Sequence, residues 1–315
     1  MALSITEANT ISTRYFDGNL GVQVYDSGPL FAKLKGKKLV TLDGGTAIQF
    51  PIRYRESGTA QAVSARQQLS YTQTETRTGG LANYGRYANH AMISWDEREG
   101  NSGSAKIINL MKDKYTELED DLYEKMQDDL FATTAVTNGL TPLVDIVDSA
   151  TTYAGILVAD AANWAAQEDA TTTRLTLYGS AGSLATMMNS ATLGKKKPDL
   201  IITTRNLFSK AESLVEPQKR YEDVELAKIG FVNVSFHGGS IVADSHCPAL
   251  YMYGLCTDEW ELRVHKDFNF KATDWRELDQ VGFPNALVKV VTFSGQLICH
   301  TRRVNFKYDH LDYTA

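Results

Sequence analysis

His237, Asp244, His246 and Cys247 all carry side chains able to ligate a metal ion. Their spacing does not bring them onto one helical face, and Gly238-Gly239 between them reads as a turn joining two strands. The plainer reading is a set of strand-end residues, with no metal ligand among them. Gly194-Lys195 could close a phosphate-binding loop. Glycine is missing upstream, where Asn189 stands, and Lys196 occupies the place of the magnesium-binding Ser or Thr. The run Gly179 to Ser183 (GSAGS) has no dinucleotide-site pattern before it and reads as a turn or helix start. No G-x-S-x-G elbow occurs.

Charged and aromatic groups give no stronger signal. Asp120-Asp121 and Asp128-Asp129 resemble paired carboxylates, but neighbours on a helix point about 100° apart and cannot converge as acid and base. They read as a solvated helix face. Lys195-Lys196-Lys197 reads as a solvated basic run, and Trp260, Phe268, Phe270 and Trp275 as core. Cys247, Cys256 and Cys299 have neither metal nor disulfide spacing, so they read as buried, reduced thiols of a protein made in a cytoplasm. No catalytic residue, cofactor or metal is expected, and the chain does not read as an enzyme.

The bulk numbers agree. The chain has 315 residues, 43% hydrophobic and 22% charged, with net charge −6. That composition can build a globular core. An acidic chain with no basic half is a poor candidate for a dedicated nucleic-acid reader. No apolar run approaches the roughly 18 residues that would span a bilayer, and the amino-terminal segment has no secretion signal.

The elements read as α+β. Residues 1–34 lack periodicity and form an arm. Leu39–Leu42 and Ala47–Phe50 are strand-like, and Asp43-Gly44-Gly45 between them predicts a hairpin turn. Arg86–Trp95 alternates like a strand. Residues 104–132 are the clearest helix, with Ile107, Ile108, Met111, Tyr115, Leu118, Leu122, Met126 and Leu130 at steps of mostly three and four. A second helix is expected over Leu177–Ala191. Pro198–Thr204 reads as a buried strand leading into a helix near Arg205–Leu214. Strands dominate the remainder, with Gly295 predicted as a turn between Asn285–Phe293 and Gln296–Phe306.

Residues 57–80, SGTAQAVSARQQLSYTQTETRTGG, are the least self-sufficient stretch. Period-2 alternation marks it as extended, yet Val63, Leu69 and Tyr71 are its only sizeable apolar side chains. Ordering the backbone costs roughly 1–2 kcal/mol per residue, more than those side chains can return alone. Such a segment needs something else to fold against.

The order of elements resembles the major capsid protein of tailed double-stranded-DNA bacteriophages, whose shell fold is shared with encapsulins. GGTAIQFPIRYRESGTAQAV is similar to the family's extended loop, and the helix at 104–132 to its spine helix. KKKPDLIITTRNLFSKAESLVEPQKRY and GFVNVSFHGGSIVADSHCPALYMYGL are similar to the axial domain, and QLICHTRRVNFKY to the last peripheral strand. The resemblance implies an arm at 1–34 and an extended β loop at 35–97. It implies a peripheral domain at 98–150 and 286–315, and an axial domain at 151–285.

In that family the loop lies across a neighbouring subunit, so burial comes from the adjacent chain. The resemblance implies a virion subunit that self-assembles into pentamers and hexamers around double-stranded DNA, made in the host cytoplasm, with no membrane partner. It further implies a portal and a separate scaffolding protein, since some relatives carry an amino-terminal scaffold and this chain has none. Arg53, Arg55 and Arg66 are candidates to pair with a neighbour's acidic helix face, and Val63, Leu69 and Tyr71 to anchor the loop. An encapsulin-type compartment shell, another virion component and an α+β enzyme built on the His237–His246 region remain alternatives.

Overall fold

A computed structural model describes residues 28–35, 39–53, 56–69, 71, 74–100, 104–158, 164–215, 233–278 and 285–314, excepting the side chains of 104–109 and 119. Most of the expected arm therefore lies outside the described residues. In chain order the elements begin with α1 (Pro29–Lys35), β1 (Leu39–Leu42), β2 (Ile48–Arg53), β3 (Arg77–Ala82) and β4 (Gly85–Ile93). Then come α2 (Trp95–Gly100), α3 (Ser104–Leu130), α4 (Leu143–Ile146), β5 (Gln167–Asp169) and α5 (Leu184–Ala191). They are followed by β6 (Leu200–Thr203), α6 (Arg205–Val215), β7 (Asn233–Phe236), β8 (Gly239–Ala243) and β9 (Met252–Leu255). The last are β10 (Trp260–His265), β11 (Lys271–Ala272), β12 (Arg276–Glu277), β13 (Leu287–Cys299) and β14 (Phe306–Tyr308).

The chain separates into two compact units. One draws on 1–46, 84–142 and 261–297, and the other on 47–83, 143–260 and 298–315. In the first, β13 is the organising strand: β4, β11 and β12 pair with it antiparallel, and the sheet continues through β10 to β1. The long helix α3 packs on β4. Its buried stripe is Met111, Tyr115, Leu118, Leu122, Met126 and Leu130, as the spacing predicts. Burying each such side chain contributes about 1.5–3 kcal/mol, so this stripe is a main source of cohesion for an element about 40 Å long.

The second unit holds a sheet ordered β5-β14-β9-β6-β8-β7. Its centre, β6, is a continuous buried run that pairs parallel with β8 and antiparallel with β9. A strand covered on both faces needs no polar alternation, which is why Leu200-Ile201-Ile202 reads apolar throughout. Helices α5 and α6 supply Leu184, Met187, Met188, Leu207 and Phe208 to the core against Ile201, Ile241 and Phe306.

Several expectations are corrected. β1 and β2 do not form a hairpin: β1 pairs parallel with β10, and β2 pairs antiparallel with β3. The turn signal is real, with Gly44 at φ 151° and Gly45 at φ 121°, but the strands' partners are remote in sequence. Gly295 is not a turn, since β13 runs through it. A Cβ there would stand 2.8 Å from the Arg263 carbonyl oxygen, so glycine permits close approach of β10. The helix expected from Leu177 begins at Leu184, because Gly179 at φ 91° turns the chain first. The strand expected over Gln296–Phe306 is interrupted by a 3₁₀ turn at Arg302–Val304, and Phe306–Tyr308 pairs with β9 and β5.

Candidate interaction surface

Strands β2 and β3 form a two-stranded ribbon within the second unit. Ile48, Phe50 and Ile52 alternate inward and Gln49, Pro51 and Arg53 outward. Gly80 makes the inner face possible, since a Cβ there would meet Ile52 Cδ1 at 2.5 Å. The ribbon is tied down by Leu81 N–H donating to the Ala154 carbonyl at 3.3 Å, and by the Phe50 ring edge-on to His300 at 5.5 Å. Its base is therefore anchored inside its own unit.

The segment joining the two strands is different. Its described residues are in neither strand nor helix; they are exposed over 56–69 and at 71, with one turn in which Gln67 N–H donates to the Ser64 carbonyl at 3.1 Å. Val63, Leu69 and Tyr71 are 52%, 46% and 94% exposed. Arg66 is exposed as well. Arg53 is exposed and sits in register opposite Arg77, also exposed, so two like charges face each other across the ribbon. Arg55 lies outside the described residues.

The residues considered for other chemistry have structural surroundings. Asp244 Oδ1 accepts the His246 N–H at 2.9 Å, and burial pushes the Asp244 carboxyl above its ordinary pKa against that hydrogen bond. Cys247 Sγ reaches the Tyr251 carbonyl at 3.6 Å. His237 lies instead against Phe236, with ring centroids 4.6 Å apart, and within 3.3 Å of the Tyr178 hydroxyl. Lys196 pairs with Glu259 at 2.7 Å, and Lys197 Nζ donates to the His237 carbonyl at 3.3 Å. All three thiols are buried, which pushes Cys256 up to about 11 and Cys299 up to about 12, with Cys247 raised further still.

Asp129 departs from the expected solvated face. It is buried, receives the Tyr87 hydroxyl at 2.8 Å, and pairs with Lys125 at 2.6 Å. Phe268 departs in the opposite direction and is exposed rather than core.

The Arg-Arg pair near the end of the chain hides a second feature. Arg302 is fully buried, and its guanidinium donates to the carbonyls of Ile146 at 2.7 Å, Asp148 at 2.8 Å and Thr151 at 2.9 Å. Nearby, the buried Lys307 ammonium pairs with Asp148 at 2.8 Å and Glu168 at 3.0 Å. These two cations organise the irregular chain between α4 and β5. The sequence signal was weak, because an arginine that serves carbonyls needs no acid at any particular spacing. Among the described residues no helix is long and apolar enough to cross a membrane.

No protein-family model matches this sequence, and no curated protein matches it. Solved structures do match, along nearly the whole chain. The capsid asymmetric unit of cyanophage A-1(L) aligns over 91% of this chain and 93% of its own, at 18% identity and TM-score 0.66. The procapsid of satellite phage P4, including its size determination protein, aligns over 94% and 90%, at 9% identity and TM-score 0.53. The holo-SrpI encapsulin complex from Synechococcus elongatus PCC 7942 aligns over 91% and 89%, at 9% identity and TM-score 0.54. The chain has the α+β shell fold of phage capsid proteins and encapsulins.

Proposed function

We propose that this chain is the major subunit of a tailed-phage head, self-assembling into pentamers and hexamers that close around double-stranded DNA. The observation that carries the reading is the segment between β2 and β3. Its base is anchored in its own unit, while Val63, Leu69 and Tyr71 stand exposed along a stretch with almost no other apolar surface. A second copy supplies the missing burial, and head-to-tail contacts whose rotations close generate rings. The facing pair Arg53 and Arg77 supports an acidic partner surface, because like charges held opposite each other are relieved by a carboxylate from outside. In this reading α3 is the spine of the peripheral domain and the β6-centred sheet belongs to the axial domain. Curvature comes from a separate scaffolding protein, with a portal at one vertex.

The test is negative-stain electron microscopy with size-exclusion chromatography, on the chain expressed alone and with its genomic neighbours. Closed shells, tubes or capsomer rings support assembly. A compact monomer under every condition overturns it. An encapsulin-type shell is the second reading, favoured by the similarity to an encapsulin. Particles that contain a protein cargo and no DNA would select it.

A further inference from the structure

A cavity of about 480 Å³ opens on the first unit's sheet. The β4–β13 register sets Arg86 opposite Ser294 and Tyr87 opposite Phe293. Strand alternation buries Tyr87 and Phe293 and leaves Arg86, Ser294 and Thr292 on the opposite face of the pair, and residues of both sets line the cavity. Tyr84, His265 and Phe268 line it from outside that strand pair. The Tyr84 and His265 rings meet edge-on at 6.2 Å, and His265 and Phe268 lie 5.0 Å apart.

Arg86 has no acidic partner among the described residues. Tyr84 is only 8% exposed, and its hydroxyl is buried without a hydrogen-bond partner among them. His265 Nδ1 accepts the Asp267 N–H at 3.1 Å, which leaves Nε2 as the ring's donor. The site thus combines one permanent cation, the Ser294 hydroxyl and aromatic faces, in a volume suited to a small ligand.

The geometry points to a binding site for a flat, apolar ring bearing a single carboxylate. Arg86 recognises a carboxylate through charge-assisted hydrogen bonds and repels an ammonium. A lone cation is a poor match for a polyphosphate, and a bare hydrocarbon would cover Arg86 without pairing it. The same chemistry comes from a free aromatic carboxylate or from an aromatic side chain beside Asp or Glu in another polypeptide. The site does not depend on whether the chain builds a shell.

Ligand-observed saturation-transfer NMR on the intact chain, assembled or not, tests this with three probes. N-acetylphenylalanine carries the ring and a free carboxylate, N-acetylphenylalaninamide lacks the charge, and N-acetyltyrosylaspartamide carries the pair within a peptide. At least one of the two acids should bind with a dissociation constant on the order of 1 mM or tighter, and the uncharged amide about five-fold more weakly or worse. The peptide binding better identifies a polypeptide source, and the free acid binding better a small molecule. Arg86→Ala and Phe268→Ala, both at exposed positions, should each weaken binding about five-fold with near-ultraviolet circular dichroism unchanged. Neither acid binding at about 10 mM overturns the assignment, as does equal binding of acid and amide or Arg86→Ala leaving the affinity unchanged.

Discussion

Tyr87 donates its phenolic hydrogen to Asp129 Oδ2 at 2.8 Å, and the same Tyr87 oxygen accepts the Leu140 N–H at 2.7 Å. One hydroxyl thus ties β4 to the far end of α3 and to the chain beyond it. Burial raises the Tyr87 pKa far above the ordinary tyrosine range, so the group stays protonated and keeps donating. Tyr87→Phe leaves the Leu140 N–H and one Asp129 oxygen without this partner. It should cost about 1–3 kcal/mol, read as a lower urea midpoint. An unchanged midpoint would mean that water or a rearranged side chain takes the place of the hydroxyl.

Acid should loosen the second unit through Asp148. Burial alone would raise its pKa, but the Lys307 hydrogen bond and the N–H groups of Thr151 and Ala150 outweigh it and hold the carboxyl down at about 2. A depressed carboxyl contributes stability that is present above the ordinary aspartate range and lost as pH falls from about 4 towards 2. The contribution is on the order of 2 kcal/mol. Asp148→Asn should lower stability at neutral pH and flatten the acid limb of a pH series of urea midpoints. Lys307 is shifted upward by its two carboxylates against the opposing effect of burial, so its contribution persists until pH rises beyond the ordinary lysine range.

Gly295→Ala tests the reading of that glycine as a close approach. The new methyl would press on the Arg263 carbonyl and the Phe293 ring, both 2.8 Å away. The expected cost is about 1–3 kcal/mol, as for other overpacked sites. Gly100→Ala is the control, with nothing within 4 Å of its added Cβ, and should be near neutral.

The thiols should be inert. Burial is the leading cause of the upward shift at Cys247, Cys256 and Cys299, so almost no thiolate exists at neutral pH. A thiol-reactive dye should label the native protein slowly and label all three cysteines after denaturation. Rapid labelling of one cysteine in the native protein would place that residue in an opening segment.

Legibility in the sequence followed the locality of each cause. The stripe from Met111 to Leu130 is a local periodicity, and it forms the helix it announces. β6 is a local apolar run, and it becomes the centre of its sheet. Gly295 was misread because a glycine required by close approach carries the same letter as one required by a turn. The pairing of β1 with β10 and β2 with β3 joins residues far apart in the chain, and no local pattern encodes it. Val63, Leu69 and Tyr71 stood out as the only sizeable apolar groups in their stretch. The cavity near Arg86 did not, because residues around 84, 265 and 293 meet only through sheet register.

The most direct test of the shell reading compares the wild-type chain with Leu69→Asp, Tyr71→Asp by electron microscopy under identical conditions. Both substitutions fall on exposed side chains, so each subunit should fold as before. Shells or capsomer rings are expected from the wild type, and a folded, unassembled chain from the double variant. Normal shells from the double variant, or a wild type that stays monomeric under all conditions, would overturn the shell reading.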